Sequence, residues 1–286
     1  MGFLRLFLAL IVLQFHGIAT FFPLPFSGRV AVLFFYVVSG FYMAMILNEK
    51  YTQARPWHFY KNRFLRLFPS FFVMFIATLL VILGTHTYVM FEVGRISLEQ
   101  LLEELQYLSF WQQLWIGIAN SAIIGGDALF LAGFEQGHTQ WAAYTVSPAH
   151  NATHYYMNPA AFSLAIECYF YALAPFIVRH PTRLHICLAL ALAYHAAVIS
   201  LGLPYQTWNY HVFLSSYAYF FAGALSYHYR APFIALGWKA PLCLFLFCWS
   251  VACVFGTQFT LLTLPIAALL AIALPGLFQI CKKSSV

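Results

Sequence analysis

Residues 1–17 read MGFLRLFLALIVLQFHG, an apolar run with a cation at Arg5, an imidazole at His16 and no other ionisable side chain. Ionisable groups inside a membrane segment are expensive and mark substrate paths or reactive groups. At ~100° per helical residue, eleven steps close three turns plus about 20°, so Arg5 and His16 are expected on one helix face, roughly 16 Å apart along the axis.

The rest of the chain puts this run in a membrane. Of 286 residues, 63% are hydrophobic, 20% aromatic and only 8% charged, with mean hydropathy +0.78, a balance foreign to soluble domains. Apolar stretches near the ~20 residues a bilayer requires recur at 2–21, 28–48, 67–91, 160–178, 184–203, 209–229, 240–256 and 258–280. Between 105 and 133, LWIGIANSAIIGGDALFLAG is interrupted by glycines and is read as zero or two further crossings. A re-entrant or surface-lying course suits it. The expected architecture is an all-α polytopic transmembrane bundle of about 8 to 10 helices, a single membrane-embedded domain over 1–286 with no soluble domain.

The basic residues orient it. With the N-terminus in the cytoplasm, Arg5, Lys50, Arg55, Lys61, Arg63, Arg66, Arg179, Arg183, Arg230, Lys239, Lys282 and Lys283 fall inside, and only Arg29 and Arg95 outside. Most acidic residues (Glu92, Glu99, Glu103, Glu104, Asp127, Glu135) gather in one long outer segment. The stretch GIATFFPLPF offers no clear small-x-small cleavage site and the next span follows at once, so the first run is expected to be a retained helix in place of a signal peptide, and MGFLRL lacks the Ser or Thr of a myristoylation signal. A bacterial inner membrane is expected, where the Asn151–Thr153 sequon carries no meaning. The net charge of +6 reads as a topology signal that also suits anionic lipid heads or a phosphate-bearing ligand, without implying nucleic acid.

Six cysteines (Cys168, Cys187, Cys243, Cys248, Cys253, Cys281) lack metal spacing and read as packing residues; no metal is expected. Most histidines are discounted. His138, His150 and His154 read as solvated or interfacial loop residues, while His58, His180, His185 and His228 read as span-end residues that snorkel. His195 reads as a hydrogen-bonded packing residue. His16 stands apart because it shares a face with a cation. Glu167, in NPAAFSLAIECYFYALAPF, lies one turn after Ser163 and one before Tyr171, a polar stripe on an apolar helix. It needs a partner: His16, an arginine from another helix, or water. Lys61, Arg63 and Arg66 in FYKNRFLRLFP serve either as positive-inside anchors or as a grip on phosphate.

In these segments the chain resembles the acyltransferase type 3 family of multi-pass membrane O-acyltransferases. LRLFLALIVLQFHG reproduces that family's Arg, ten residues, His pattern; FFYVVSGFY is similar to its FFVLSGF segment, NRFLRLFP to RRxxRIxP, and SLAIECYFYALAPF to SLAVEEQFYLLWP. The four occur in family order over about the first 180 residues, and FFAGALSYHY near Phe220 is a weaker echo. Two departures stand out. The family's paired acids are Glu167 then Cys168 here, and its terminal SYxxYLxH-like helix has no match before CKKSSV, which leaves a naturally short member, a truncated reading frame or an inactive remnant.

The resemblance implies an acyl-coenzyme A donor, acetyl by default, entering from the cytoplasm, and a carbohydrate hydroxyl as acceptor. Arg5, Arg63 and Arg66 would hold donor phosphates, for which the guanidinium fork is suited. His16 would act as general base or form an acyl-imidazole, with Glu167 orienting it. Tyr36, Ser39, Ser163 and Tyr171 would line the tunnel, Ser39 and Gly40 serving equally as small packing residues. Two readings from other classes stay open: a transporter or flippase using Arg5, His16 and Glu167 as a polar relay, and a non-catalytic relative. The acceptor's identity and the oligomeric state are not legible in the sequence.

Overall fold

A backbone surrounded by hydrocarbon must satisfy its own hydrogen bonds, and apolar runs of this length do so as helices. The computed structural model describes residues 2–16, 27–51, 56–90, 94–135, 137–141, 151–235, 237–255 and 262–283. Along the chain come α1 (Gly2–His16), α2 (Gly28–Glu49), α3 (Pro56–Thr85), strands β1 (Thr87–Met90) and β2 (Gly94–Ser97), α4 (Leu98–Gln106), α5 (Phe110–Ala122), and strands β3 (Ala132–Glu135) and β4 (His138–Trp141). There follow α6 (Phe162–Ile177), α7 (Pro181–Ser200), α8 (Tyr205–Tyr210), α9 (Phe213–His228), α10 (Arg230–Ala235), α11 (Lys239–Phe255) and α12 (Thr263–Lys283). The all-α class holds; two antiparallel two-stranded hairpins, β1–β2 and β3–β4, are the strands among the described residues.

Five helical segments are long and apolar enough to cross a bilayer: Gly28–Glu49, Pro56–Thr85, Pro159–Ile177, Pro181–Ser200 and Thr263–Ile280. Leu4–Phe15 and Lys239–Val254 are apolar but shorter. Three local differences from the sequence reading have physical reasons. α3 begins at Pro56, eleven residues before the apolar run, because proline suits a first helical position and the lysine and arginines that follow are good helix formers. The run at 209–229 is broken between α8 and α9. Between 105 and 133 the longest helix is α5, whose 13 residues span about 20 Å, short of the ~30 Å hydrocarbon core.

The chain divides into two compact units. The first comprises Met1–Pro56, Leu173–Tyr210 and Leu214–Val286. Here α2 packs against α1 and α12, and α12 against α10 and α11. Helices α2 and α9 approach to backbone contact: a Cβ on Gly40 would strike the Phe220 carbonyl, and one on Gly223 the Val37 carbonyl. Tyr36 stacks on Phe220 with centroids 4.5 Å apart. This is packing through small residues, the device membrane helices use where no hydrophobic effect pulls them together.

The second unit comprises Trp57–Ala172 and His211–Phe213. Helices α4 and α5 each start with a capping box, Ser97 with Gln100 and Ser109 with Gln112, which satisfies their first N–H groups. Ile82, Tyr88 and Leu101 form a small buried cluster, with Ile96, Leu105 and Tyr155 packed against it. α5 buries Gln112 and Asn120 beside Ile116 and Ala119. Gln112 donates to Thr139 Oγ1 (3.3 Å), and Asn120 clamps the Tyr155 carbonyl (2.9 Å) and the Met157 N–H (2.8 Å). Its Phe110, Trp111, Leu114 and Ile118 face outward, as do Val73, Met74, Leu80 and Val81 of α3. Large apolar side chains exposed along both helices suit a surface in contact with lipid.

Candidate functional site

Arg5 lies in the first unit. It is buried, and its Nη2 donates to Ser39 Oγ at 2.8 Å. Its guanidinium carbon sits 4.8 Å from the Tyr42 ring centroid and 5.3 Å from that of Phe35. These partners follow from helical periodicity. Phe35, Ser39 and Tyr42 are spaced four and three residues apart, so they share the α2 face that receives α1. A cation held between ring faces and a hydroxyl in an apolar setting keeps its charge at a tolerable cost. Tyr36 and Ser39, expected along a tunnel, are both buried; Ser39 takes the arginine and Tyr36 belongs to the α2–α9 crossing. The α1 backbone is helical through His16, as the eleven-residue spacing requires, while the His16 side chain lies outside the described residues.

Glu167, Arg63, Arg66, Ser163 and Tyr171 lie in the second unit. Glu167 is 3% exposed, and the Tyr171 hydroxyl one turn along α6 donates to its Oε1. Tyr171 packs edge-on against Phe59 at 6.3 Å. The Arg63 guanidinium carbon lies 5.7 Å from the Phe59 centroid and 5.8 Å from that of Tyr171. The polar stripe read from the sequence is therefore a bonded pair with an arginine on its tyrosine. Arg63 Nε and Nη1 are buried and have no acceptor among the described residues. Arg66 is exposed, and Ser163 donates to the Ala160 carbonyl (2.9 Å) at the start of its helix.

The same unit holds a second buried carboxylate that the sequence reading placed in the outer segment without assigning it a role. Asp127 is 5% exposed and accepts from the Tyr169 hydroxyl (2.9 Å), which in turn accepts from Gly125 N–H (2.7 Å). Burial raises the Asp127 carboxyl above its ordinary range, partly offset by the Tyr169 bond. The turn that delivers it has Ile123 at φ 69° and Gly125 at φ 84°, and a side chain on Gly126 would strike the Tyr156 phenol. The signal in the sequence was the double glycine of IIGGD.

The histidines divide differently from expectation at one position. His154, read as solvated, is 3% exposed, because its segment is pinned by Asn120 and by the bridge from Gly133 to Asn151. His195 is the hydrogen-bonded packing residue expected, with Nε2 3.1 Å from Ser215 Oγ. His211 stacks on Phe130 at 3.9 Å, a contact that no local pattern announces. His150 lies outside the described residues. No family model, no curated protein and no solved structure matches this chain.

Proposed function

We propose that the chain is a membrane O-acyltransferase that moves an acyl group, acetyl by default, from cytoplasmic acyl-coenzyme A to a hydroxyl of a cell-surface or lipid-linked carbohydrate. The reading includes the eight-span topology with the N-terminus in the cytoplasm of a bacterial inner membrane. The observation that carries it is Arg63: buried N–H donors with no acceptor among the described residues, set on the ring of the tyrosine that holds Glu167. A buried donor left unmet is costly, so this guanidinium is suited to an anion delivered to the neighbourhood of an acid.

The four motifs behind the resemblance also pair off in space. Arg5 of the first bonds Ser39 of the second, and Arg63 of the third lies on Tyr171 of the fourth. In the proposed reaction Arg5, Arg63 and Arg66 bind donor phosphate. The acceptor oxygen forms the new ester bond, the thioester C–S bond breaks, and the hydroxyl proton passes by way of His16 to the departing thiolate. Glu167 stabilises the imidazolium. Cys168, where the resemblance has a second acid, favours the rival reading of a non-catalytic relative.

Reconstituted protein given radiolabelled acetyl-coenzyme A tests this. Label entering a glycan pool, or trapped on His16 after quenching, is the expected result. Donor binding without transfer to any acceptor or to water would favour the non-catalytic relative.

A further inference from the structure

Within the first unit, three hydrogen bonds between chain segments tie the end of α2, the stretch joining α6 to α7 and the end of α9 into one basic cluster. Arg179 Nη2 donates to the Tyr51 carbonyl at 2.7 Å. His228 Nε2 lies 2.8 Å from the Val178 carbonyl, so that nitrogen carries the proton and donates. The Tyr227 hydroxyl donates to Glu49 Oε1 at 3.0 Å. The bonds bring the segments carrying Lys50, Arg179, His228 and Arg230 together, with Glu49 already engaged by a phenol.

The cations are arrayed on aromatic rings and free ends. Arg230 lies 4.1 Å above the Tyr227 ring while its Nη1 donates to the Tyr227 carbonyl (2.9 Å). Lys50 sits 6.0 Å from the Tyr51 centroid. Arg179 Nε is buried without a partner among the described residues. Tyr229 exposes 48% of its surface. The α7 helix, which starts here, has no side-chain cap and no acid in its first turn, so its N-terminal charge adds to the field. Positive-inside anchoring requires cations at span ends, but not a bonded closure of three segments around them.

We propose that this cluster binds the phosphorylated nucleotide end of the donor: Lys50, Arg179 and Arg230 on its phosphates and Tyr229 against its purine. The assignment rests on the acyl-coenzyme A reading and adds a site apart from Arg5, Arg63 and Arg66. Arginine forks match phosphate oxygens, and a phenol face accepts a purine by stacking.

Free coenzyme A is titrated into the full chain in phosphatidylcholine nanodiscs, with and without added phosphatidylglycerol. Lys50→Gln, whose side chain makes no hydrogen bond among the described residues, and Arg230→Gln, which gives up only the bond to the Tyr227 carbonyl at the α9–α10 junction, are each expected to weaken coenzyme A binding about fivefold. Inorganic pyrophosphate should compete, and Tyr229→Ala should weaken coenzyme A but not pyrophosphate. Unchanged coenzyme A affinity in the Lys50→Gln/Arg230→Gln double variant overturns the site. So does a double variant that loses only phosphatidylglycerol-dependent thermal stabilisation, because the cluster is then a headgroup anchor. If Arg63→Gln abolishes binding while that double variant binds normally, the donor reading stands and this site falls. Wild-type protein that binds no coenzyme A in either lipid takes down both.

Discussion

Arg5 and Arg63 are the same device finished in two ways. Each guanidinium lies against two aromatic rings of an apolar neighbourhood, Phe35 and Tyr42 for Arg5, Phe59 and Tyr171 for Arg63. Arg5 gives its Nη2 to a buried serine and is fixed by that bond. Arg63 keeps Nε and Nη1 without an acceptor among the described residues. The difference is that one guanidinium is anchored to the fold by a hydrogen bond, while the other has two buried donor atoms without an acceptor among the described residues.

If the comparison is right, the largest effects concern chemistry. His16→Ala should cut acyl transfer by about 10²- to 10⁴-fold while leaving donor affinity nearly intact, read by radiolabel transfer beside a donor titration. Unimpaired transfer in that variant would break the mechanism. Glu167→Gln should keep the Tyr171 hydroxyl bonded and the protein folded, yet impair transfer; unchanged turnover would reduce Glu167 to packing.

Next come the arginines themselves. Arg63→Gln should weaken the donor about ten- to a hundredfold, the worth of a charge-assisted contact of about 1.5 to 3 kcal/mol, with no loss of thermal stability. Arg5→Met should behave otherwise. It removes the donor that a fully buried Ser39 accepts from and should cost about 1 to 3 kcal/mol of stability in addition to donor affinity, measured by unfolding in detergent. Equal stability losses in the two variants would erase the distinction. The α2–α9 crossing offers a scale: Gly40→Ala places a methyl against the Phe220 carbonyl and should cost about 1 to 3 kcal/mol by overpacking, with no selective effect on donor binding.

The smallest effect is in pH. Asp127 has a raised folded-state value, so the native chain holds this proton more tightly than the unfolded chain does. Its stabilising contribution is present at acid pH and is lost as pH rises from the ordinary carboxylate range through that raised value. Asp127→Asn should flatten that part of the stability profile; a profile identical to wild type would contradict the burial of its charge.

What the sequence disclosed follows its periodicity. Long apolar runs become helices for want of any other way to satisfy the backbone, and Glu167 bonds Tyr171 because residues four apart share a helix face. The helical start at Pro56 was hidden because hydropathy discounts Lys61, Arg63 and Arg66, although such residues favour helix. Some partners distant in the chain left no periodic trace: Tyr169 for Asp127, Phe130 for His211. The buried Asp127 depends on a turn through positive φ at Ile123 and Gly125 that no apolar pattern encodes.

The most direct test of the central claim is one coenzyme A titration run beside an acetyl-transfer assay on wild type, Arg63→Gln and Glu167→Gln. The account predicts weakened donor binding in Arg63→Gln and near-normal binding with impaired transfer in Glu167→Gln. Donor affinity unmoved by Arg63→Gln, with transfer proceeding at the wild-type rate, would contradict it.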